Sequence, residues 1–227
     1  LVDNISVREK TNLAADVPQL DTSASVGKKV IALPAEKISS FNIYGKNEAA
    51  PVSTDFSIST LADSLQIDID CKSSQKVRAN VSENSRDIWK DDLLEVFFGP
   101  SYKNDRLLSQ FVISAGGGRY MGNGPAEIFD YDSWKAETKV TANGWTARLE
   151  IPYKLLGYDT APKAGELLGF NICRQDSTGF STWANVKNGF HDPDNFNYIL
   201  FGNKADYVKS VLRELGDCPE DALDLWN

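Results

Sequence analysis

The stretch Ser64–Cys71 alternates without a break. Leu65, Ile67, Ile69 and Cys71 fall on one side, and Ser64, Gln66, Asp68 and Asp70 on the other. A period of two puts every apolar side chain on one face of an extended backbone. The stretch therefore reads as a half-buried strand rather than an amphipathic helix. Trp145, Ala147, Leu149 and Ile151 alternate in the same way with Gly144, Thr146, Arg148 and Glu150. Ala136, Thr138 and Val140 alternate with Glu137, Lys139 and Thr141, and Asn143-Gly144 between these two runs is a strong hairpin signal. Further strands are expected near 29–33, 55–60, 76–81, 92–99, 107–115, 167–175, 180–186 and 197–202.

Turn residues separate the runs. Gly99-Pro100 is expected to end one, and Gly116-Gly117-Gly118 and Gly122-Asn123-Gly124-Pro125 bracket another. Pro152 stops the strand that ends at Ile151, because proline has no N–H for a ladder hydrogen bond. Many short strands without long helices between them predict an all-β sandwich or barrel. The tail departs from this pattern. Tyr207, Val208, Val211, Leu212 and Leu215 recur at helical spacing, with Gly216 as the stop. The expected layout is an N-terminal arm or edge segment over 1–28, a sandwich over 29–203, and a short C-terminal helix and tail of the same domain over 204–227. No internal repeat or low-complexity linker interrupts it.

A chain of 227 residues is long enough for one large core. Its 24 basic and 32 acidic residues leave a net charge of −8, opposite to the basic footprint of a nucleic-acid binder. No run approaches the ~18 consecutive apolar residues of a membrane span. The first residues lack the basic and apolar regions of a signal peptide and an initiator Met, so the chain reads as a processed product. The single His, His191, excludes His-rich zinc sites and restricts any His-dependent triad to one position. Cys71, Cys173 and Cys218 form no C-x-x-C pair, and at most one disulfide can join them.

Two segments carry candidate chemistry. In the first, Trp89 sits in a polar loop just before a strong strand. Leu94, Val96 and Phe98 share one face of that strand, while Glu95 lies on the other with Leu93 and Phe97. A carboxylate on a sheet face needs a partner or a rim position. In the second, Ser177–Trp183, Trp183 also borders a loop, ahead of the run Gly189–Phe196. Sugars present apolar C–H faces and polar edges, so two tryptophan plates with hydrogen-bonding groups at the rim suit them. Glu95 and Gln110 are candidate acceptors and Arg174 a candidate donor. Trp145 lies on the apolar face of its strand and reads as core, and Trp134 as structural.

These residues resemble a known family. Trp89, Asp91-Asp92 and Glu95-Val96-Phe97-Phe98 look like the D-D-x-x-E-hydrophobic-F strand of the family 9 carbohydrate-binding modules. Gln110-Phe111 with Gly118-Arg119-Tyr120 resembles the next strand, and Gly144-Trp145 with Glu150-Ile151-Pro152 the family's G-W-x-x-E-apolar-P strand. Gly165–Arg174, reading GELLGFNICR, is similar to its G-x-x-x-G-F-N-x-x-R stretch. Ser181-Thr182-Trp183 and His191–Phe196 complete an ordered set covering roughly residues 30–202.

The resemblance implies a DOMON-like β-sandwich of jelly-roll type. It implies a non-catalytic module that clamps a sugar between Trp89 and Trp183, with Glu95 hydrogen-bonding its hydroxyls. A saccharide ligand, a neighbouring polysaccharide-degrading catalytic module and an extracellular or periplasmic location are further expectations. No cofactor is required, but relatives carry structural calcium, for which Asp192 with Asp194 or Asp91 with Asp92 are candidates. The same Asp residues are better read as holding turns through Asx bonds. Two departures stand out: Val112 occupies a place where relatives often supply Arg, and residues 30–50 lack the family's early Asp-Gly and Trp.

Three other readings compete. DOMON-like relatives include cytochromes, and a haem here would depend on Met121 and His191, the only residues of their types. A glycosidase would need two carboxylates in distinct environments, and no segment singles out such a pair. A structural or protein-interaction sandwich would make use of the C-terminal helix.

Overall fold

The computed structural model describes residues 28–101, 108–123, 126–128 and 131–214. The expectations for residues 1–27, Gly124-Pro125, Leu215, Gly216, Cys218 and Trp226 lie outside them.

Two sheets pack face to face. The larger contains β1 (Val30–Leu33), β3 (Asn42–Ile43), β6 (Leu93–Ser101), β7 (Ser109–Ser114), β8 (Arg119–Asn123), β9 (Ala126–Ile128), β12 (Leu167–Asp176), β13 (Gly179–Thr182) and β14 (Asn197–Phe201). Its order is β1-β14-β12-β6-β7-β8-β9, with β13 pairing the second half of β12 and β3 pairing β13. The smaller contains β2 (Ala35–Ile38), β4 (Thr54–Thr60), β5 (Ser64–Lys72), β10 (Lys135–Thr141) and β11 (Gly144–Pro152), in the order β10-β11-β5-β4-β2. The one parallel pairing named among these strands is β1 with β14.

The alternation read from the sequence places the core. Leu65, Ile67, Ile69 and Cys71 of β5 and Trp145, Ala147, Leu149 and Ile151 of β11 are all buried, on the side facing the large sheet. They meet Leu94, Val96 and Phe98 of β6, Phe111 and Ile113 of β7, and Phe170 and Ile172 of β12. Removing side chains of this size from water stabilises by about 1.5–3 kcal/mol each. Trp134 and Trp145 both belong to this core.

The large sheet is covered on its outer face as well, which is why β6 is buried on both sides. Leu93 and Val112 pack under Ile88, with Trp89 and Tyr120 against them. Phe97 and Cys173 pack with Val186 and Phe196, with Tyr44 and Phe190 against those. Glu95 lies on β6 between Leu93 and Phe97, between these two apolar mounds.

The strand expected near 76–81 is absent. Two buried carboxylates hold that segment as an irregular loop instead. Asp91 accepts from the backbone N–H groups of Asn80 and Val81, both at 2.8 Å, and Asp92 pairs with Arg78 Nε at 2.7 Å. The strand expected over 180–186 is only Gly179–Thr182, because Trp183 turns inward. Gly99-Pro100 does not end β6, which continues to Ser101. Helix α1 (Lys204–Glu214) forms as expected. Asn203 and Asp206 cap its start reciprocally at 3.1 and 2.9 Å, and Ser210 Oγ donates to Gly165 O at 3.2 Å.

Candidate functional site

A cavity of about 640 Å³ opens on the outer face of the large sheet. Its walls carry Trp89, Tyr120 and Arg86 from one mound and Phe190 and His191 from the other, and Glu95 and Gln110 also line it.

Trp89 rides on a 3-10 turn, Arg86–Lys90. Ser85 starts the turn by accepting from Asp87 N at 3.2 Å, and the fully buried Ile88 anchors it. The glycine-rich β7–β8 hairpin lets this turn settle onto the sheet. A Cβ at Gly118 would lie 2.6 Å from Ile88 Cγ2 and 2.7 Å from Glu83 O. Trp89 itself stays half-buried. Its ring meets the Tyr120 ring edge-on at 5.0 Å, and its carbonyl accepts from Gln175 Nε2 at 2.9 Å. Its side chain also hydrogen-bonds Glu95. The indole nitrogens of Trp134, Trp145 and Trp183, by contrast, are buried without a protein partner.

Glu95 is only 6% exposed. Gln110 Nε2 donates to its Oε2 at 2.5 Å. Burial pushes its pKa up to about 7, against the pull of the hydrogen bonds from Gln110 and Trp89. Gln110 is therefore not a free acceptor for a ligand: its amide positions Glu95, and its Oε1 lies 3.2 Å from His191 Nε2. With Oε1 accepting, His191 must carry its proton on Nε2. The His191 ring stands edge-on to Phe97 at 5.0 Å, and burial lowers its pKa.

The loop carrying Phe190 and His191 is braced at both ends. Asp192 accepts from Lys187 N at 2.9 Å, Asn188 N at 3.2 Å and Asn195 Nδ2 at 2.9 Å. These bonds hold its carboxyl below the usual carboxylate range. Tyr44 Oη accepts from Gly189 N at 2.7 Å and donates to Lys187 O at 3.3 Å. Asp192 therefore acts as a loop brace, as do Asp91 and Asp92. Among the described residues, no group of three or more His, Cys, Asp or Glu side chains converges on a common point.

Two of the expected site residues stand elsewhere, and both are corrections. Trp183 is 2% exposed and lies in the inter-sheet core, with its ring 5.4 Å from Phe56 and 5.7 Å from Phe170. It cannot form the second plate of a clamp at this cavity. Arg174 shares the inner face of β12 with Phe170 and Ile172, one residue out of phase with the cavity side. Its guanidinium pairs with Asp176 at 2.8 Å and donates to Ser53 O at 3.0 Å, Thr54 Oγ1 at 2.9 Å and Lys72 O. It stitches the two sheets together and meets no ligand. The ring missed in its place is Phe190, which lay unremarked in the Gly189–Phe196 run.

Met121 is buried in the inter-sheet core, while His191 lies on the outer face, so the two do not converge on one haem position. Glu95 is the one carboxylate lining the cavity among the described residues, so the acid–base pair of a glycosidase is not assembled there. A larger groove of about 830 Å³ crosses the outer face of the small sheet. Four of its charged side chains are already paired, Arg148 with Asp68 at 2.6 Å and Lys37 with Asp55 at 3.7 Å, and the one ring that lines it, Phe56, is buried.

No family model matches this sequence, and no curated protein does. Solved structures match it by shape. A protein of Bacteroides uniformis, provisionally designated carbohydrate-binding, superposes with a TM-score of 0.61 at 16% identity, over 74% of this chain and 86% of that one. A family 9 carbohydrate-binding module from Caldicellulosiruptor kristjanssonii, in complex with cellotriose, gives 0.52 at 13% identity, over 78% and 95%. The same organism's module in complex with glucose gives 0.55 at 15%, over 78% and 97%. The fold is that of a family 9 carbohydrate-binding module. Among the described residues it is a two-sheet sandwich, as the sequence resemblance implied, with the short helix after the last strand that the apolar spacing of the tail predicted.

Proposed function

We propose that this protein is a non-catalytic saccharide-binding module, and that a sugar ring occupies the cavity on the outer face of the large sheet. The observation that carries this reading is the grouping of Trp89, Phe190 and the Glu95–Gln110 pair around one open cavity. Ring faces suit the C–H face of a sugar, and a buried carboxylate suits its hydroxyls. Trp89 takes the stacking role and Phe190 the role first given to Trp183. Glu95 accepts hydroxyl hydrogen bonds, with Gln110 orienting it. The resemblance to sugar-binding modules of the same fold supports this assignment.

In line with the family resemblance, the module is assigned to a location outside the cytoplasm, beside enzymes that degrade polysaccharides. Its affinity rests on a few contacts and is modest. The test is retention on immobilised glycans. The wild-type protein should be retarded on at least one glycan, and Trp89→Ala, with an unchanged circular dichroism spectrum, should not. Equal retention of both would remove Trp89 from the site.

A further inference from the structure

Phe180 is 49% exposed, and among the exposed large apolar side chains of the described residues (Leu61, Val140, Phe180 and Val208) it is the only ring. A single exposed ring is ordinary on a protein surface, so what distinguishes Phe180 is where it stands. It stands opposite Gln175, which in turn stands opposite Leu93, so Phe180 belongs to the cavity side of the large sheet. Two strand spacings separate it from β6, about 10 Å.

Three observations connect Phe180 to the cavity. Its ring lies 5.7 Å from that of Phe190, edge to face, and Phe190 is a cavity wall. Gln175, beside it on β12, reaches the other way to donate to the Trp89 carbonyl at 2.9 Å. Its backbone is fixed on both flanks: β13 pairs with β12, and Tyr44 N donates to Phe180 O at 2.9 Å. An aromatic surface thus runs from the cavity through Phe190 to a rigidly held outer ring.

We infer that Phe180 is a second stacking platform, which receives the next sugar of a saccharide chain whose first unit fills the Trp89 cavity. The inference rests on the saccharide-binding reading above and adds to it: the preferred ligand is an oligosaccharide or chain end rather than a free monosaccharide. Stacking suits this position because a ring face accepts a sugar without selecting its hydroxyl pattern, and selection belongs to Glu95 inside the cavity.

The experiment is titration calorimetry with glucose, xylose, mannose and galactose, each beside its β-1,4-linked trisaccharide. The wild type should bind one trisaccharide more tightly than the matching monosaccharide. Phe180→Ala should weaken the trisaccharide by roughly tenfold, one stacking contact's worth, and leave the monosaccharide within about twofold. Phe180→Trp should restore or exceed wild-type affinity. The subsite is refuted if Phe180→Ala leaves trisaccharide binding unchanged, or weakens both sugars equally while Trp89→Ala abolishes both. If the wild type binds no sugar of the set, the saccharide-binding reading itself falls and the subsite with it. Phe180 lies outside the core, so its removal opens no buried void, and the monosaccharide titration checks the fold directly.

Discussion

The Gln110 amide donates to the Glu95 carboxylate at 2.5 Å and turns its oxygen toward His191 Nε2 at 3.2 Å. Three polar side chains from two strands and a loop thus form one line across the outer face of the large sheet. The line holds a carboxylate that burial would otherwise discharge. Gln110→Leu would remove a donor and leave the charged Glu95 with a lost hydrogen bond. We expect it to destabilise the protein by about 1–3 kcal/mol at pH 8 and by clearly less at pH 5, where Glu95 is protonated. Urea denaturation at the two pH values measures the difference, and an equal loss at both would separate Gln110 from the ionisation of Glu95.

Glu95 makes stability depend on pH. Burial raises its pKa in the folded protein to about 7, from the ordinary 4.5 of a solvated glutamate. Between those values the folded protein keeps a proton that the unfolded chain has lost, so stability falls as pH rises through this window. The full loss is on the order of 3 kcal/mol above pH 7. Glu95→Gln removes the ionisation. Its melting temperature should exceed the wild type's at pH 8 and match it near pH 4. Parallel melting curves at every pH would disprove the buried-carboxylate account.

The same group couples binding to pH. Sugar hydroxyls that donate to Glu95 favour its charged form and lower its pKa in the complex. Binding then releases a proton near neutrality, and affinity rises from pH 6 to pH 8. The other charged or titratable groups at the cavity are Arg86, a guanidinium that keeps its proton in this range, and His191, whose pKa burial lowers. Calorimetry in two buffers of different ionisation enthalpy reads the proton directly. A pH-independent affinity with no proton release would mean that Glu95 does not touch the ligand.

The strand pattern was legible because burial on one face leaves a period of two, and β5 and β11 show it over their whole length. Glu95 was legible for the same reason, as a charge among apolar neighbours on a strand. Trp183 was not, because proximity to a loop does not say which way the chain turns after the last ladder bond. Arg174 was knowable in principle: it has the parity of Phe170 and Ile172, whereas Cys173 is the residue that stands opposite Glu95. The Asn143-Gly144 hairpin formed, but with Ala142 and Asn143 as the turn. Gly144 pairs with Thr141 as the first residue of β11. The glycine is needed there for close approach, since a Cβ at its φ of 147° would lie 1.9 Å from Cys71 O. The loop over 76–81 was hidden because its hydrogen bonds come from Asp91 and Asp92, ten or more residues away in sequence.

The two tryptophans first paired as plates should separate by experiment. Trp183→Ala opens a void between Phe56 and Phe170 and should cost about 3–5 kcal/mol of stability. Trp89→Ala removes a half-buried ring at the cavity and should cost much less stability while abolishing saccharide binding. Denaturation curves and binding measured on the folded fraction of each variant distinguish the roles. A stable Trp183→Ala protein that no longer binds would restore Trp183 to the site.

Arg174 is 1% exposed and its partner Asp176 is nearly as buried, so the pair is a charged element inside the sandwich. Its attraction is offset by the cost of taking both ions out of water, so the intact pair adds little net stability. Breaking it is another matter. Arg174→Met leaves the Asp176 carboxylate without its counter-ion and removes the guanidinium bonds to Lys72 O and to Ser53 O, the latter keeping only its bond from Lys72 N at 3.0 Å. The expected loss is about 3–5 kcal/mol. The double variant Arg174→Met/Asp176→Leu removes the stranded charge. It should recover part of that loss but not all, because the arginine's bonds to Ser53 O, Thr54 Oγ1 and Lys72 O stay lost and Asp176 no longer accepts from Thr178 N and Oγ1. Saccharide affinity should be unchanged in both variants once folded, since neither residue lines the cavity. Selective loss of binding in a stable Arg174→Met protein would overturn the purely structural role assigned to this arginine.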